Sequence, residues 1–160
     1  MEHLWAPWRN TYVKQPQEKK EEGVFIQMAQ SSDDASNYIL ARGKSCFALL
    51  NLYPYNSAHL MIVPYRAVRD LDELSDDELL ELMTMLKRMK AAVTAALAPH
   101  GFNVGINLGA AAGAGIEEHL HIHLVPRWRG DANFMTTTAE TRVHPSDLAT
   151  VYAAIRKELV

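Results

Sequence analysis

The amino-acid sequence predicts an α+β domain with a mainly antiparallel sheet, one long helix and a C-terminal helix. Short apolar segments between residues 37 and 63 are separated by turn residues, which is typical of neighbouring β-strands. Apolar residues then recur at helical spacing over residues 76–98. Because the early links between strands have hairpin length, we expect antiparallel pairing, with the helices on one side of the sheet.

Length and composition narrow the class of protein. The chain has 160 residues, of which 48% are hydrophobic, so one domain can bury a substantial core. Its formal net charge of −3 gives no general basic surface for nucleic acid. Because Cys46 is the only cysteine, neither an internal disulfide nor a cysteine-based zinc cage can form. No apolar run approaches a membrane span or a signal peptide, so we expect a cytoplasmic protein that binds neither nucleic acid nor membrane.

The elements before the long helix follow from short apolar segments and the residues that break them. Residues 1–22 end in a charged run and are expected to form a surface arm. Its Trp5 and Trp8 are expected to pack on the body or on a second subunit. The other predictions here are one or two helical turns at 24–29, strands at 37–42 and 46–51 joined by a turn at Gly43, and a strand at 60–63 that stops at Pro64.

The long helix has clear end signals. Ser75 is placed to cap its N-terminus and Glu78 completes a capping box, while Pro99 and Gly101 end it. Its apolar stripe predicts packing on the sheet and consists of Leu79, Leu82, Leu86, Met89, Val93 and Leu97. Beyond it, the pattern predicts strands at 102–107 and 119–125, a glycine-rich loop between them, and a last helix at 146–158.

Three histidines mark the predicted strand at 119–125. Side chains alternate between the faces of a strand, so His119, His121 and His123 are expected to point to one face. The apolar residues between them would point to the core. Such a row is hard to explain by packing, and two chemical interpretations remain. It is either a metal site, completed by a carboxylate such as Glu117 or Glu118, or a nucleophile with its hydrogen-bonding partners.

The loop before the histidines favours the second interpretation. Gly109, Gly113 and Gly115 allow the backbone to approach a ligand and to turn N–H groups towards an anion. No lysine of the P-loop type follows, so a nucleoside triphosphate P-loop is excluded. Arg127 and Arg129 follow the row and either add positive charge for phosphate or are solvated surface residues.

Several motifs together carry a family resemblance. The segment 119–127 resembles the histidine triad (HIT) signature with its Pro-Arg continuation. The segment 49–64 is similar to the nucleotide-binding hairpin of that family, with Asn51 and His59 at the family's separation. Asn107 and the glycine-rich loop match the part before the triad. The resemblance covers about residues 20–130 and is highly specific.

Two further segments, 4–9 and 126–134, look like a bacterial group related to the fragile-histidine-triad hydrolases and diadenosine tetraphosphate phosphorylases. The resemblance implies a HIT-like fold. It divides the chain into an N-terminal arm over 1–22, a HIT domain over 23–135, and a C-terminal segment over 136–160 whose helix packs on the same domain.

The resemblance also implies a role for each site residue. His121 would attack the α-phosphorus of a nucleotide and form a nucleotidyl–histidine intermediate. His119 and His123 would hold its tautomer and contact phosphate oxygens, and His59 would support the cluster. The implied ligand contacts are Asn51 to the ribose, and Asn107 with the backbone of Gly113, Ala114, Gly115 and Ile116 to phosphate.

Two departures from the family pattern shape these expectations. Many relatives have glutamine at the position of Gly115, so the choice between water and phosphate as acceptor stays open. Zinc-bearing relatives have a Cys-x-x-Cys pair and a histidine where this chain has residues 23–26 and Ala67. We therefore expect no structural metal and no required cofactor, although Mg²⁺ can act through the substrate's phosphates.

The implied function is cleavage of dinucleoside polyphosphates, of the diadenosine tetraphosphate kind, by nucleotidyl transfer. We favour ATP adenylyltransferase (phosphorylase) activity, with Arg127 and Arg129 as a candidate site for the acceptor phosphate. The alternatives are a hydrolase of dinucleoside polyphosphates or nucleotide conjugates, a nucleotide-binding sensor with little turnover, and, less favoured, a histidine-rich metal-binding protein. We expect a homodimer or a dimer of dimers.

Overall fold

The computed structural model describes residues 23–131 and 147–159, and it confirms the α+β class. A five-stranded sheet has the order β1-β2-β3-β5-β4, and all its pairs are antiparallel. The strands are β1 (Ile39–Arg42), β2 (Cys46–Leu50), β3 (Leu60–Pro64), β4 (Gly101–Ile106) and β5 (Ile122–Arg127). The helices are α1 (Val24–Gln30), α2 (Asp76–Leu97) and α3 (Leu148–Lys157), with short 3₁₀ turns at Leu71–Glu73 and Ala110–Ala112.

The long helix α2 covers one face of the sheet. Its capping box is formed as predicted, because the Ser75 hydroxyl accepts from the Glu78 N–H and the Glu78 carboxylate accepts from the Ser75 N–H. The helix ends where Ala98 turns into the left-handed region, at φ 46°. The predicted stripe faces the sheet, and its buried members are Leu82, Leu86, Met89 and Val93, joined by Met85 and Ala92.

The C-terminal helix α3 packs beside α2 and over β1. The Tyr152 hydroxyl donates to the carbonyl of Ile39 at 3.1 Å, and Arg156 donates to that of Leu40 at 2.8 Å. The helix begins at Leu148, later than predicted, because the Asp147 side chain caps it by accepting from a backbone N–H. None of the helices in the described residues is long and apolar enough to cross a membrane.

The short helix α1 lies on the opposite face, so the expectation of helices on one side is wrong for this element. Phe25 is only 3% exposed and belongs to a second apolar cluster. The buried partners of Phe25 on that face are Ile39, Phe47, Leu49, Met61 and Val63. These apolar side chains point away from α2, and α1 shields them from water. Arg42 holds the end of α1 through the carbonyls of Ala29 and Ser31, at 2.7 Å each.

Strand β5 begins at Ile122, three residues later than predicted. The residues before it turn aside, because the Leu120 N–H donates to the carbonyl of Val68 at 2.7 Å instead of joining the β3 ladder. The alternation of faces nevertheless persists, since Leu120, Ile122 and Leu124 all enter the main core. The predictions for residues 1–22, including Trp5 and Trp8, concern parts of the chain outside the described residues.

Candidate active site

Four histidines form one buried cluster on the face opposite α2. Their exposed fractions are 1% for His59, 3% for His119, 7% for His121 and 8% for His123. The ring centroids of His121 and His123 are 4.7 Å apart, and those of His59 and His123 are 5.1 Å apart. The predicted row therefore meets the histidine of the β2–β3 loop, as the resemblance implied.

His121 is held in a single tautomer by its own chain. Its Nδ1 lies 2.9 Å from the carbonyl oxygen of His119. A carbonyl can only accept, so Nδ1 carries the proton and Nε2 of the neutral ring keeps its lone pair. Burial lowers the pKa of His121, which keeps the ring neutral at physiological pH. The structure thus supplies a buried, neutral imidazole with a nucleophilic nitrogen at Nε2.

His119 is fixed with the other nitrogen protonated. Its Nε2 donates to the carbonyl of Pro64 at 2.8 Å, which ties it to the end of β3. Burial also lowers the pKa of this ring. Phe25 of α1 packs against both His119 and His121, with ring centroids 5.3 and 5.4 Å away. The aromatic ring shields this side of the cluster from water.

His59 and His123 form a hydrogen-bonded pair. The Tyr55 N–H donates to His59 Nδ1 at 3.1 Å, so the neutral ring carries its proton on Nε2. That Nε2 donates to His123 Nδ1 at 2.9 Å, which leaves the proton of neutral His123 on Nε2. Tyr55 also stacks on His59, with centroids 4.7 Å apart. His123 therefore presents an N–H donor at the atom opposite its bond to His59.

The two predicted asparagines lie at the ends of this pair. Asn51 Nδ2 is 3.4 Å from His59 Nδ1, and Asn51 Oδ1 accepts from the Tyr53 N–H at 2.9 Å. Asn107 Nδ2 is 3.5 Å from His123 Nε2, which is longer than an ordinary hydrogen bond, so the 2.9 Å bond to His59 sets the tautomer of His123. The structure thus brings both asparagines to the histidine cluster. Among the described residues, no group of three or more His, Cys, Asp or Glu side chains is arranged to hold a metal ion.

The glycine-rich loop is only partly open to a ligand. Gly109 and Gly113 have positive φ, at 77° and 86°, a region that favours glycine. The N–H groups of Gly113 and Ala114 donate to loop carbonyls at 2.9 and 3.4 Å. Phosphate binding through these two groups would compete with those bonds. Ile116 packs against the second apolar cluster, which places the end of the loop beside α1.

Arg127 and Arg129 are not brought together with the histidines. At roughly 3.3 Å per residue of strand, Arg127 lies ~13 Å from His123 along β5. Its guanidinium pairs with Asp131 and donates to Asn103 at 2.8 Å. Arg129 lies farther along, in the turn after the strand. Both arginines thus lie several residues beyond the nucleophile along the chain, and their role as an acceptor-phosphate site stays a prediction.

Sequence reasoning missed three groups around the cluster. Phe25 packs on two of the histidines. Tyr55 supports His59 by ring stacking and through its N–H. Asp131 organises the turn after β5. Phe25 had no distinguishing sequence signal, because a single aromatic residue is most often ordinary core. Tyr55 and Asp131 did have one, since they lie in the segments 49–64 and 126–134 that resemble parts of the family.

Comparisons with known proteins identify the family of the chain. The HIT domain model matches residues 33–130. AP-4-A phosphorylase of Mycobacterium tuberculosis is 43% identical over 152 residues, which cover 91% of this chain and 77% of that protein. The asymmetrical bis(5'-nucleosyl)-tetraphosphatase of Schizosaccharomyces pombe is 30% identical over 105 residues, which cover 66% of this chain and 57% of that protein.

Solved structures share the fold. A zinc-bound histidine triad family protein of Mycobacterium smegmatis superposes with a TM-score of 0.70 at 24% identity, covering 87% of this chain and 94% of that chain. A hypothetical histidine triad nucleotide-binding protein of Sulfolobus tokodaii gives 0.64 at 24% identity, covering 76% and 83%. At this identity the likeness concerns the fold alone. The match over residues 33–130, together with the relative at 43% identity, shows that the chain belongs to the HIT domain family.

Proposed function

We propose that the chain is an enzyme that cleaves dinucleoside polyphosphates by nucleotidyl transfer through His121. The observation that carries the proposal is the tautomer of this ring. Its Nδ1–H is committed to a backbone carbonyl, so the lone pair of the neutral imidazole lies on Nε2. A neutral imidazole is nucleophilic and can leave again from phosphorus, which suits a two-step transfer.

In the first step, His121 Nε2 forms a bond to the α-phosphorus. The bond from that phosphorus to the bridging oxygen breaks, and the electron pair leaves with the nucleoside polyphosphate. The ring becomes positively charged, and its Nδ1–H strengthens the bond to the carbonyl of His119. The Nε2–H of His123 is suited to donate to phosphate oxygens as charge develops there.

In the second step, an acceptor attacks the phosphorus and releases His121. Phosphate as acceptor converts diadenosine tetraphosphate into ATP and ADP, whereas water gives ATP and AMP. We favour phosphate, because the relative from Mycobacterium tuberculosis that aligns with 91% of this chain is an AP-4-A phosphorylase. A hydrolase is the second candidate, since relatives at lower identity are named a tetraphosphatase and a bis(5'-adenosyl)-triphosphatase.

The test is incubation with diadenosine tetraphosphate, with and without inorganic phosphate, followed by separation of the products. We expect ADP to appear with ATP, at a rate that rises with phosphate concentration. Release of AMP and ATP at a rate unaffected by phosphate would establish the hydrolase. Binding of the dinucleotide without any product would contradict the proposed enzymatic activity and favour a nucleotide-binding sensor.

Three further expectations belong to this proposal. The covalent step needs no cofactor, and Mg²⁺ acts through the substrate phosphates, so adduct formation should survive exhaustive chelation. A homodimer, or a dimer of dimers, agrees with the exposed Val104 on edge strand β4 and the exposed Leu80 and Met83 on α2. Light scattering at the mass of one 17.9 kDa chain would contradict it. We place the protein in the cytoplasm, which cell fractionation tests.

A further inference from the structure

Asp131 is the centre of a hydrogen-bond network at the end of β5. Its carboxylate accepts from Arg127 Nε at 2.7 Å and Nη2 at 2.9 Å, and from the Trp128 N–H at 3.2 Å. It also accepts from Asn56 Nδ2 at 2.7 Å. The bond with Arg127 is the main reason that the pKa of Asp131 falls to about 2, so the carboxylate stays ionised. One charged group thus joins the end of β5 to the β2–β3 loop.

Asn56 transmits this network to a histidine. It is 8% exposed, and its Nδ2 also donates to the carbonyl of Pro126 at 3.0 Å. Its own carbonyl accepts from the N–H of His59 at 3.2 Å. The loop residue that is anchored to Asp131 is therefore hydrogen-bonded directly to the backbone of His59.

The loop between Asn56 and His59 contains a strained residue. Ala58 has φ 56°, in the left-handed region that L-residues rarely adopt. Such a conformation persists only when its surroundings hold it. Asn56 holds one side, and on the other side the Asn51 N–H donates to the carbonyl of His59 at 2.8 Å. Release of Asn56 therefore frees the loop to relax and His59 to shift.

We propose that Asp131 is a positioning residue for nucleotidyl transfer, acting through Asn56 to hold His59 against His123. The inference rests on the proposed function and deepens it, because it assigns a task to a segment that the reaction itself does not use. His59 sets the tautomer of His123 only while its Nε2 lies at 2.9 Å from His123 Nδ1. Loss of the bond between Asp131 and Asn56 loosens the bond between His59 and His123. The proton of His123 is then no longer fixed on Nε2.

The test uses two variants and one matched control. Asp131→Ala removes the carboxylate and its bonds to Arg127, Trp128 and Asn56. Asn56→Ala removes the side-chain link to the loop and leaves the ion pair of Asp131 with Arg127. The control is Glu81→Ala. Like Asp131, Glu81 is a carboxylate that anchors a turn. It accepts from the backbone N–H groups of Lys44 and Ser45 in the β1–β2 turn, whereas Asp131 anchors the turn after β5.

Two measurements separate positioning from stability. Long-range ¹H–¹⁵N spectra of the imidazoles report the tautomers directly, and single-turnover rates report formation of the nucleotidyl adduct. In both test variants we expect His59 and His123 to exchange between tautomers. The adduct rate should fall about tenfold to a hundredfold, while the Kd for the dinucleotide changes less. The double variant should be no slower than the slower single variant, because both act along one path.

Glu81→Ala should lose stability to urea but keep its tautomers and an adduct rate within about threefold of the unmodified protein. Asp131→Ala and Asn56→Ala variants with unaltered tautomers and rates would overturn the inference. If Asp131→Ala does not fold, Asn56→Ala decides alone. Absence of adduct in the unmodified protein would instead contradict the proposed function, and the spectra would still test whether Asp131 positions His59.

Discussion

The four buried histidines form two pairs that the fold holds in different ways. In the first pair, His119 and His121 each donate to a backbone carbonyl and pack against Phe25. In the second pair, His59 and His123 bond to each other, and a backbone N–H fixes the first ring as an acceptor. Imidazole rings thus bond to backbone carbonyls in the first pair, whereas a backbone N–H group bonds to His59 in the second pair.

Because of this difference, one ring carries its proton on a different nitrogen from the other three. His59, His119 and His123 are each placed to carry the proton on Nε2. His121 carries it on Nδ1, so its Nε2 keeps a lone pair. The hydrogen-bond partners therefore distinguish a nucleophile from three supporting donors, independently of any family resemblance. The predictions below test this distinction.

Replacement of the nucleophile should have the largest effect. We expect His121→Ala to lower the rate of adduct formation by about a thousandfold or more, because no other ring of the described cluster presents an Nε2 lone pair. Binding of the dinucleotide should change little. Single-turnover kinetics and calorimetry measure the two quantities.

The matched control is His100→Ala. His100 lies outside the cluster and accepts from the Arg129 N–H, so its loss should leave the rate nearly unchanged. Near-normal turnover of His121→Ala would refute the assignment of the nucleophile.

Loss of a supporting ring should cost less. His59→Phe keeps an aromatic ring for Tyr55 to stack on but removes the nitrogen that donates to His123. We expect the adduct rate to fall about tenfold to a hundredfold, and His123 to lose its single tautomer in ¹⁵N spectra. A variant as slow as His121→Ala would mean that the two pairs do not differ in the way proposed.

The sequence predicted the members of the histidine cluster better than the hydrogen bonds that hold their rings. Strand periodicity placed the three histidines of the row on one face, and the family resemblance added His59 and both asparagines. The backbone acceptors at Pro64 and His119 could not be predicted, because a carbonyl carries no residue-type signal. The late start of β5 likewise depends on the contact of Leu120 with Val68, a long-range hydrogen bond.

Stability should depend on pH through the first pair. Burial lowers the pKa of His119 and His121 in the folded chain, so the unfolded chain binds more protons as the pH falls. Stability should therefore be full above about pH 6.5, the ordinary histidine pKa, and decline below it. The slope is at most about 1.4 kcal/mol per pH unit for each ring.

Urea unfolding between pH 5 and pH 8 measures this slope. The carboxylates of Glu78 and Asp131, whose pKa is lowered to about 2, lose their contribution only at more acidic pH. The control is His119→Asn, which removes one titrating ring and should reduce the slope. Stability that rises as the pH falls from 7 to 5 would contradict burial of neutral rings.

The smallest effect should come from Arg129, which tests whether a positive charge outside the two pairs selects the acceptor. It lies beyond Arg127 at the far end of β5, so its charge is screened and distant from the α-phosphate in the same chain. We expect Arg129→Ala to change the KM for phosphate by less than about threefold, with the adduct rate unchanged.

Arg127→Ala should differ, because it breaks the ion pair with Asp131 and thereby slows adduct formation. Phosphate titrations of both variants, at saturating dinucleotide, separate the two outcomes. A large rise in the KM for phosphate in Arg129→Ala would show that this arginine reaches an acceptor site after all.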